Sequence, residues 1–367
     1  MREYLLVLLV AAGVTYAGAS LARRLAFRYN AVALVRDRDV HTKPVPYFGG
    51  IAMLAGTTAA LVLATNLPWL GAFELVQRDA WAVFAASVVI CTVGVVDDLF
   101  ELGAVAKLAG QVLAAGIVVL NGVKFYWIPL PERIIALDNI SSIAVAVFVI
   151  LVCVNAINFM DGLDGLAAGV VGIGAGAFFV YAYLLSYEQE LVRATTSSLL
   201  TVILVGICVG FLPHNIHQAR MFMGDSGSML LGFLFATSMI SLTGQLDPSQ
   251  VNPSGGALIS SYLPLLLPLA AMALPFIDLA SAYIRRTVAG RLWFEADKQH
   301  LHHRMLGLGH PHRTAVALLW LWSAVIAFGV VLIGVSDAPW SAWVLPAGLV
   351  LAAGLTFWPR TKKVDHG

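Results

Sequence analysis

Apolar runs of roughly 20 residues recur along the chain, separated by short polar connections, and no other property limits its fold so strongly. A run of that length crosses the hydrocarbon of a bilayer as an α-helix, in which backbone N–H and C=O groups pair internally. The runs are continuous and do not alternate with period two, so they predict a helical bundle and not a barrel. Composition agrees, with 59% of 367 residues hydrophobic, 12% charged and a mean hydropathy of +0.84. A soluble domain carries about 25% charged residues.

We therefore read an all-α polytopic membrane protein, a single domain over 1–367, with about 11 transmembrane helices. Their expected limits are 3–22, 49–66, 80–96, 108–122, 142–157, 166–186, 194–213, 227–244, 260–284, 314–335 and 339–358. The first run is long for the apolar core of a signal peptide and reads as a retained span. The segment 124–139, rich in Pro and aromatics, suits a short hairpin or interfacial stretch. Cys91, Cys153 and Cys208 all fall inside apolar runs, without metal-binding spacing, and read as packing residues.

Orientation follows from charge. One set of loops and helix ends carries 17 of the 22 Lys and Arg residues, from Arg23 and Arg24 through Arg285 and Arg286 to Lys363. The positive-inside rule puts those loops in the cytoplasm, with the N-terminus outside and the C-terminus inside. Net charge is +1, and no nucleic-acid partner is expected.

The polar motifs sort to the same side. The stretch "NAINFMDGLDGLAAG" (155–169) leaves an apolar run with Asn155, Asn158, Asp161 and Asp164 spaced three apart. Asp97 and Asp98 end an earlier run, and Asp225 opens a later one in "FMGDSGS". Ionisable groups at bilayer depth are costly and point to function. Five carboxylates gathered on one side repel one another unless a cation stands between them. Mg²⁺, which takes oxygen ligands and commonly shares them with a substrate phosphate, answers that need; Asp225 with an amide such as Asn158 would begin its shell. Helix capping is the plain alternative for any one of these acids.

Other residues fit a phosphorylated, ring-bearing substrate. Phe222 offers a face for a flat ring or for interface packing, and Asn215 suits a base edge or a loop cap. His300, His302 and His303 with Arg304 lie in the most basic loop and suit phosphate oxygens better than zinc. His41 and Lys43 lie in a basic stretch beside the membrane, where anionic headgroups gather, and Lys107 follows the acidic pair, to balance it or touch phosphate. Together they suit phosphoryl transfer between a nucleotide-linked donor and a membrane acceptor.

Five motifs, "HTKPVPYFGG", "VVDDLFELGAVAKLAGQ", "NAINFMDGLDGLAAG", "FMGDSGSMLLGF" and "HLHHRML", resemble in type and order those of the polyprenyl-phosphate N-acetylhexosamine-1-phosphate transferases. The likeness covers about residues 36–306. It implies a Mg²⁺-dependent reaction, with Mn²⁺ as a substitute, in which a polyprenyl phosphate attacks the β-phosphorus of a UDP-amino sugar and releases UMP. On that likeness Asp97 and Asp98 are catalytic, and Asp225 and Asn158 serve the metal. Asn155, Asp161, Asp164, Asn215, Phe222, His300, His302, His303 and Arg304 surround the nucleotide sugar. His41, Lys43 and Lys107 face the lipid phosphate. The interrupted His-x-His-His form resembles the branch using UDP-N-acetylglucosamine with undecaprenyl or decaprenyl phosphate. Tyr47-Phe48 departs from the family, which often has a basic or smaller residue there. The resemblance also implies a bacterial plasma-membrane protein, a membrane step of cell-envelope polysaccharide synthesis, and a homodimer. The alternatives are the phospho-N-acetylmuramoyl-pentapeptide substrate and, outside the family, secondary transport or intramembrane proteolysis.

Overall fold

The computed structural model describes residues 1–29, 31–33, 45–130, 133–188, 192–244, 258–290, 300–336 and 338–358. Its helices are α1 (Arg2–Arg28), α2 (Gly49–Asn66), α3 (Glu74–Phe100), α4 (Ala104–Leu120), α5 (Asn139–Met160), α6 (Leu166–Glu188), α7 (Val192–Asn215), α8 (Gly224–Thr243), α9 (Leu258–Ala271), α10 (Ala273–Val288), α11 (Leu301–Gly307), α12 (His312–Val335) and α13 (Ser341–Phe357). Two small antiparallel pairs complete it. Strands β1 (Val32–Ala33) and β2 (Val45–Pro46) pair Val32 with Pro46, while β3 (Trp127–Leu130) and β4 (Arg133–Ala136) form the hairpin expected near 124–139.

Among the described residues, eight helices are long and apolar enough to cross a membrane, or nine if α9 and α10 are one bent span. The chain is a multi-pass membrane protein. Helices α4 and α13 have 17 residues each, about 26 Å at 1.5 Å per residue, at the short limit for a 30 Å hydrocarbon layer.

The single helix expected over 260–284 is two, Leu258–Ala271 and Ala273–Val288. The chain breaks at Met272, and the two segments meet at 73°. Pro275 explains the break, because its ring would collide with the carbonyl of Ala271 in a continuous helix. In the first turn of α10 the same proline is harmless, since its missing N–H would have no intrahelical partner there.

Helix α8 is the centre of the bundle. All of its residues but Asp225 are buried, and α7 is largely buried beside it. A helix apolar on all sides belongs inside other helices, and α8 packs on α3, α5, α7 and α2. Small residues let the backbones close up. A Cβ on Gly50 of α2 or on Gly94 of α3 would overlap the backbone around Ser226, and one on Gly232 would lie 2.6 Å from Val154 Cα of α5. These contacts bring the first turn of α8 against the start of α2 and the end of α3. Cys91, Cys153 and Cys208 are buried and unpaired with one another, as packing residues should be.

Candidate active site

The acidic motifs meet at one pole of the bundle, where α3, α5 and α7 end and α2, α4, α6 and α8 begin. Asp97 and Asp98 are neighbours on α3, so their side chains leave the helix about 100° apart. Asp97 turns toward α4, where Lys107 Nζ lies 2.6 Å from its Oδ2. The same ammonium lies 2.8 Å from Asp225 Oδ2 on α8 and so bridges the two acids. Asp98 turns toward α8 instead. Its oxygens accept the backbone N–H groups of Asp225 at 2.8 Å and Ser226 at 3.3 Å. A carboxylate there satisfies orphan N–H groups and complements the positive end of the helix. Gly224, at φ +69°, carries the chain over Asp98, and a Cβ would strike that carboxylate.

Asn158 of α5 donates its amide nitrogen to Asp225 Oδ1 at 3.0 Å and to Ser228 Oγ at 2.9 Å. The amide thus orients Asp225. Asp161 ends α5 half-buried, and its carboxylate has no hydrogen-bond or ion-pair partner among the described residues. Desolvation, then repulsion by Asp225, Asp98 and Asp164, pushes that carboxyl up to about 8. A partnerless acid facing other acids suits a hard cation, and Asp161 and Asp225 would be the carboxylates to hold one.

The loop after α5 is clamped. Asn215, 2% exposed, accepts the N–H of Gly165 at 2.9 Å and donates to the carbonyl of Met221 at 3.0 Å. Both ends of its amide bond backbone, so it ties two loops. Asp164 accepts the N–H of Ala219 at 3.0 Å and lies 3.2 Å from His217 Nδ1. Asp164, His217 and His312 have donor atoms within 4.8 Å of one another. The two imidazoles, however, stack 4.4 Å apart at 24°. Their in-plane lone pairs do not converge on one ion, so we read a hydrogen-bonded stack and not a metal centre.

The histidine motif begins the short helix α11. Asp278 of α10, 1% exposed, holds it in place: its carboxylate lies 3.0 Å from His300 Nδ1 and accepts the N–H of Leu301 at 2.8 Å. His302 is buried against Gly162, where a Cβ would strike its ring. Desolvation, then the neighbouring His303, pushes its imidazole down to about 4, so it works as a neutral ring. His303 and Arg304 are exposed. Arg286 of α10 is buried and lies 5.4 Å over the ring of Phe159, next to the end of α5.

Asn155 donates to Gln111 Oε1 on α4 at 2.8 Å and to the carbonyl of Leu151, which ties α5 to α4. Phe222 packs 6.2 Å from the ring of Tyr47, the departure noted in its motif. His41 and Lys43 lie outside the described residues. The sequence reading missed Gln111, Asp278 and Arg286. The signal for the first two was a lone polar side chain within an otherwise apolar helical face.

Carboxylates bridged by one lysine, beside an open acid and an anchored histidine helix at the ends of membrane helices, define a polytopic membrane transferase acting on phosphorylated substrates. The chain belongs to glycosyl transferase family 4: the model of that family matches residues 80–243. Among known proteins, the decaprenyl-phosphate N-acetylglucosaminephosphotransferase of Mycolicibacterium smegmatis is 40% identical over all of this chain and 91% of its own. The protein of the same description from Mycobacterium leprae is 44% identical over 90% of this chain and 83% of its own. The phospho-N-acetylmuramoyl-pentapeptide-transferase of Mycobacterium leprae is 29% identical over 90% of this chain and 97% of its own.

Proposed function

We propose that the protein transfers N-acetylglucosamine 1-phosphate from UDP-N-acetylglucosamine to a decaprenyl or undecaprenyl phosphate and releases UMP. The observation that carries the reading is Lys107 held between Asp97 and Asp225, with Asp161 open beside them. Full-length likeness to decaprenyl-phosphate transferases supports the acceptor and the sugar, and the lower identity to the pentapeptide transferase favours the smaller donor. We place the enzyme in a bacterial plasma membrane with eleven spans as one domain, N-terminus outside, site and C-terminus cytoplasmic, and as a homodimer. Family membership sets aside secondary transport and intramembrane proteolysis.

In the reaction a lipid phosphate oxygen attacks the β-phosphorus of the nucleotide sugar. The bond from that phosphorus to the bridging oxygen breaks, and UMP leaves with the electron pair. A phosphate monoester with a second pKa of about 6 is already largely ionised at pH 7, so the nucleophile needs orientation more than a base. Lys107 partly neutralises the acids and presents an ammonium to phosphate. Asp97 orients that ammonium, Asp98 holds the first turn of α8, and Asn158 aims Asp225. Asp225 and Asp161 would hold Mg²⁺, or Mn²⁺ in its place, which when bound offsets charge on the diphosphate. Asp164, Phe222 and the His300–Arg304 helix line the nucleotide-sugar side; we assign His41 and Lys43 to the lipid side.

A panel of UDP-sugars offered to purified protein with polyprenyl phosphate tests this directly. UMP release is expected with UDP-N-acetylglucosamine, and release only with the muramoyl-pentapeptide donor would overturn the sugar assignment. Metal uptake has its own signature. Because Asp161 keeps its proton up to about pH 8, Mg²⁺ must displace it. Binding is expected to release about one proton at pH 7 and to tighten as pH rises from 6 to 8. Calorimetric titration in buffers of different ionisation enthalpy reads this, and no proton release would remove Asp161 from the metal site. Asp278→Asn keeps an acceptor for Leu301 but loses the charge facing His300. It is expected to raise KM for the nucleotide sugar about 10-fold with kcat within threefold, in steady-state kinetics.

A further inference from the structure

Helix α4 has to hold Lys107 to within a few tenths of an ångström between two acids, yet most of its inward face is smooth. Its buried residues are Gln111, Ala114, Ala115, Val118 and Val119. Its other face is open, with Val105 80%, Leu113 60% and Leu120 78% exposed. Apart from Val93 of α3 seated against Gly110, small apolar side chains give few stops to rotation or sliding, so a directional contact sharpens the register of α4. A single buried amide can supply one, as a buried Asn does at a coiled-coil seam.

Gln111 is that contact. It lies one turn after Lys107, on the same face of the helix, and is 3% exposed. Its Oε1 accepts Asn155 Nδ2 of α5 at 2.8 Å, and its Nε2 lies 3.6 Å from Met229 Sδ of α8. Asn155 stands three residues before Asn158, which holds Asp225 and Ser228, and Ser228 precedes Met229. One lateral network therefore joins α4, α5 and α8 a turn below the acids. A buried amide deprived of its partner carries its full desolvation penalty, which disfavours a slipped helix.

We infer that Gln111 is a positioning residue: it sets the register of α4 against α5 and α8 so that Lys107 reaches Asp97 and Asp225 together. The inference rests on the proposed reaction only for its kinetic readout. Gln111→Leu removes the polar contacts at nearly constant volume, and we expect kcat to fall about 10- to 100-fold with KM for the nucleotide sugar within threefold. A merely structural role would act independently of Lys107. In a Lys107→Met background, where the residual rate is low but measurable, Gln111→Leu is expected to change kcat less than twofold. An undiminished effect there would overturn the inference.

A readout without substrate separates this idea from the transferase reading. Acetylation of Lys107 by an amine-reactive reagent, followed by mass spectrometry on the detergent-solubilised full chain, is expected to quicken at least about fivefold in Gln111→Leu as the ammonium loses its two acids. An unchanged rate would sink the register role even if UMP release fell. If the Leu variant does not fold, Gln111→Asn, which keeps the amide but shortens its reach, takes its place with the same expected results.

Discussion

Asp225→Ala is expected to lower UMP release by about 10³-fold while the protein stays folded. The side chain holds Lys107 at 2.8 Å and accepts from Asn158 at 3.0 Å, so it is where the contacts from α4 and α5 meet on α8. Its removal leaves Lys107 to Asp97 alone and takes one of the two acids able to hold the cation. Loss of one preorganised electrostatic group costs roughly 10²- to 10³-fold in turnover, and a cation ligand belongs at the upper end. The fold should survive because α8 is capped by Asp98 through backbone N–H groups, which alanine keeps. The side chain is also 27% exposed, so little packing is lost. UMP release and the melting temperature in detergent, with and without Mg²⁺, check this together. We expect melting without Mg²⁺ within a few degrees of wild type and a lost Mg²⁺-induced rise. A variant keeping more than about a tenth of wild-type turnover would remove Asp225 from the metal site.

The second large effect comes from a residue without a side chain. Gly94→Ala places a methyl into the backbone of Ser226, where α3 crosses the first turn of α8. Neither backbone can rotate aside as a side chain would, so the helices must part. Overpacking of this kind costs about 1–3 kcal/mol in stability. The kinetic cost should be larger, because Asp98 on α3 and Asp225 on α8 have to keep their distance. A shift of about 1 Å at a reacting site can cost 10²-fold. We expect turnover about 100-fold down and a melting temperature several degrees lower. Gly116→Ala, on α4, is the control, since a Cβ there meets nothing within 4 Å. Full activity in Gly94→Ala would show that the α3–α8 contact does not fix the site.

Much of this was legible in the residues themselves. Spans are written locally, because a bilayer forces each apolar run to close its own hydrogen bonds. Helices accordingly occupy all but one of the expected stretches as single elements, and the exception needed only the weight of Pro275 beside Ala271. The chemical inventory was equally plain: acids and amides at the ends of greasy segments have few uses besides binding something charged.

Roles within that inventory are another matter. Asp97 and Asp98 read as one acidic pair, yet one faces a lysine and the other caps a helix 127 residues away. Asn155 and Asn158 share a helix face, but only Asn158 reaches Asp225. Asn215 had equal claims as a base reader and a loop tie, and only the fold shows it bonded to Gly165 and Met221. Gln111, Asp278 and Tyr47 gained meaning only from what stands opposite. Hydropathy and motif order are properties of neighbouring residues along the chain, and the bilayer reads them one segment at a time. The partner of a side chain depends on how helices far apart in sequence rotate and settle against each other, and that is decided by packing around α8 as a whole.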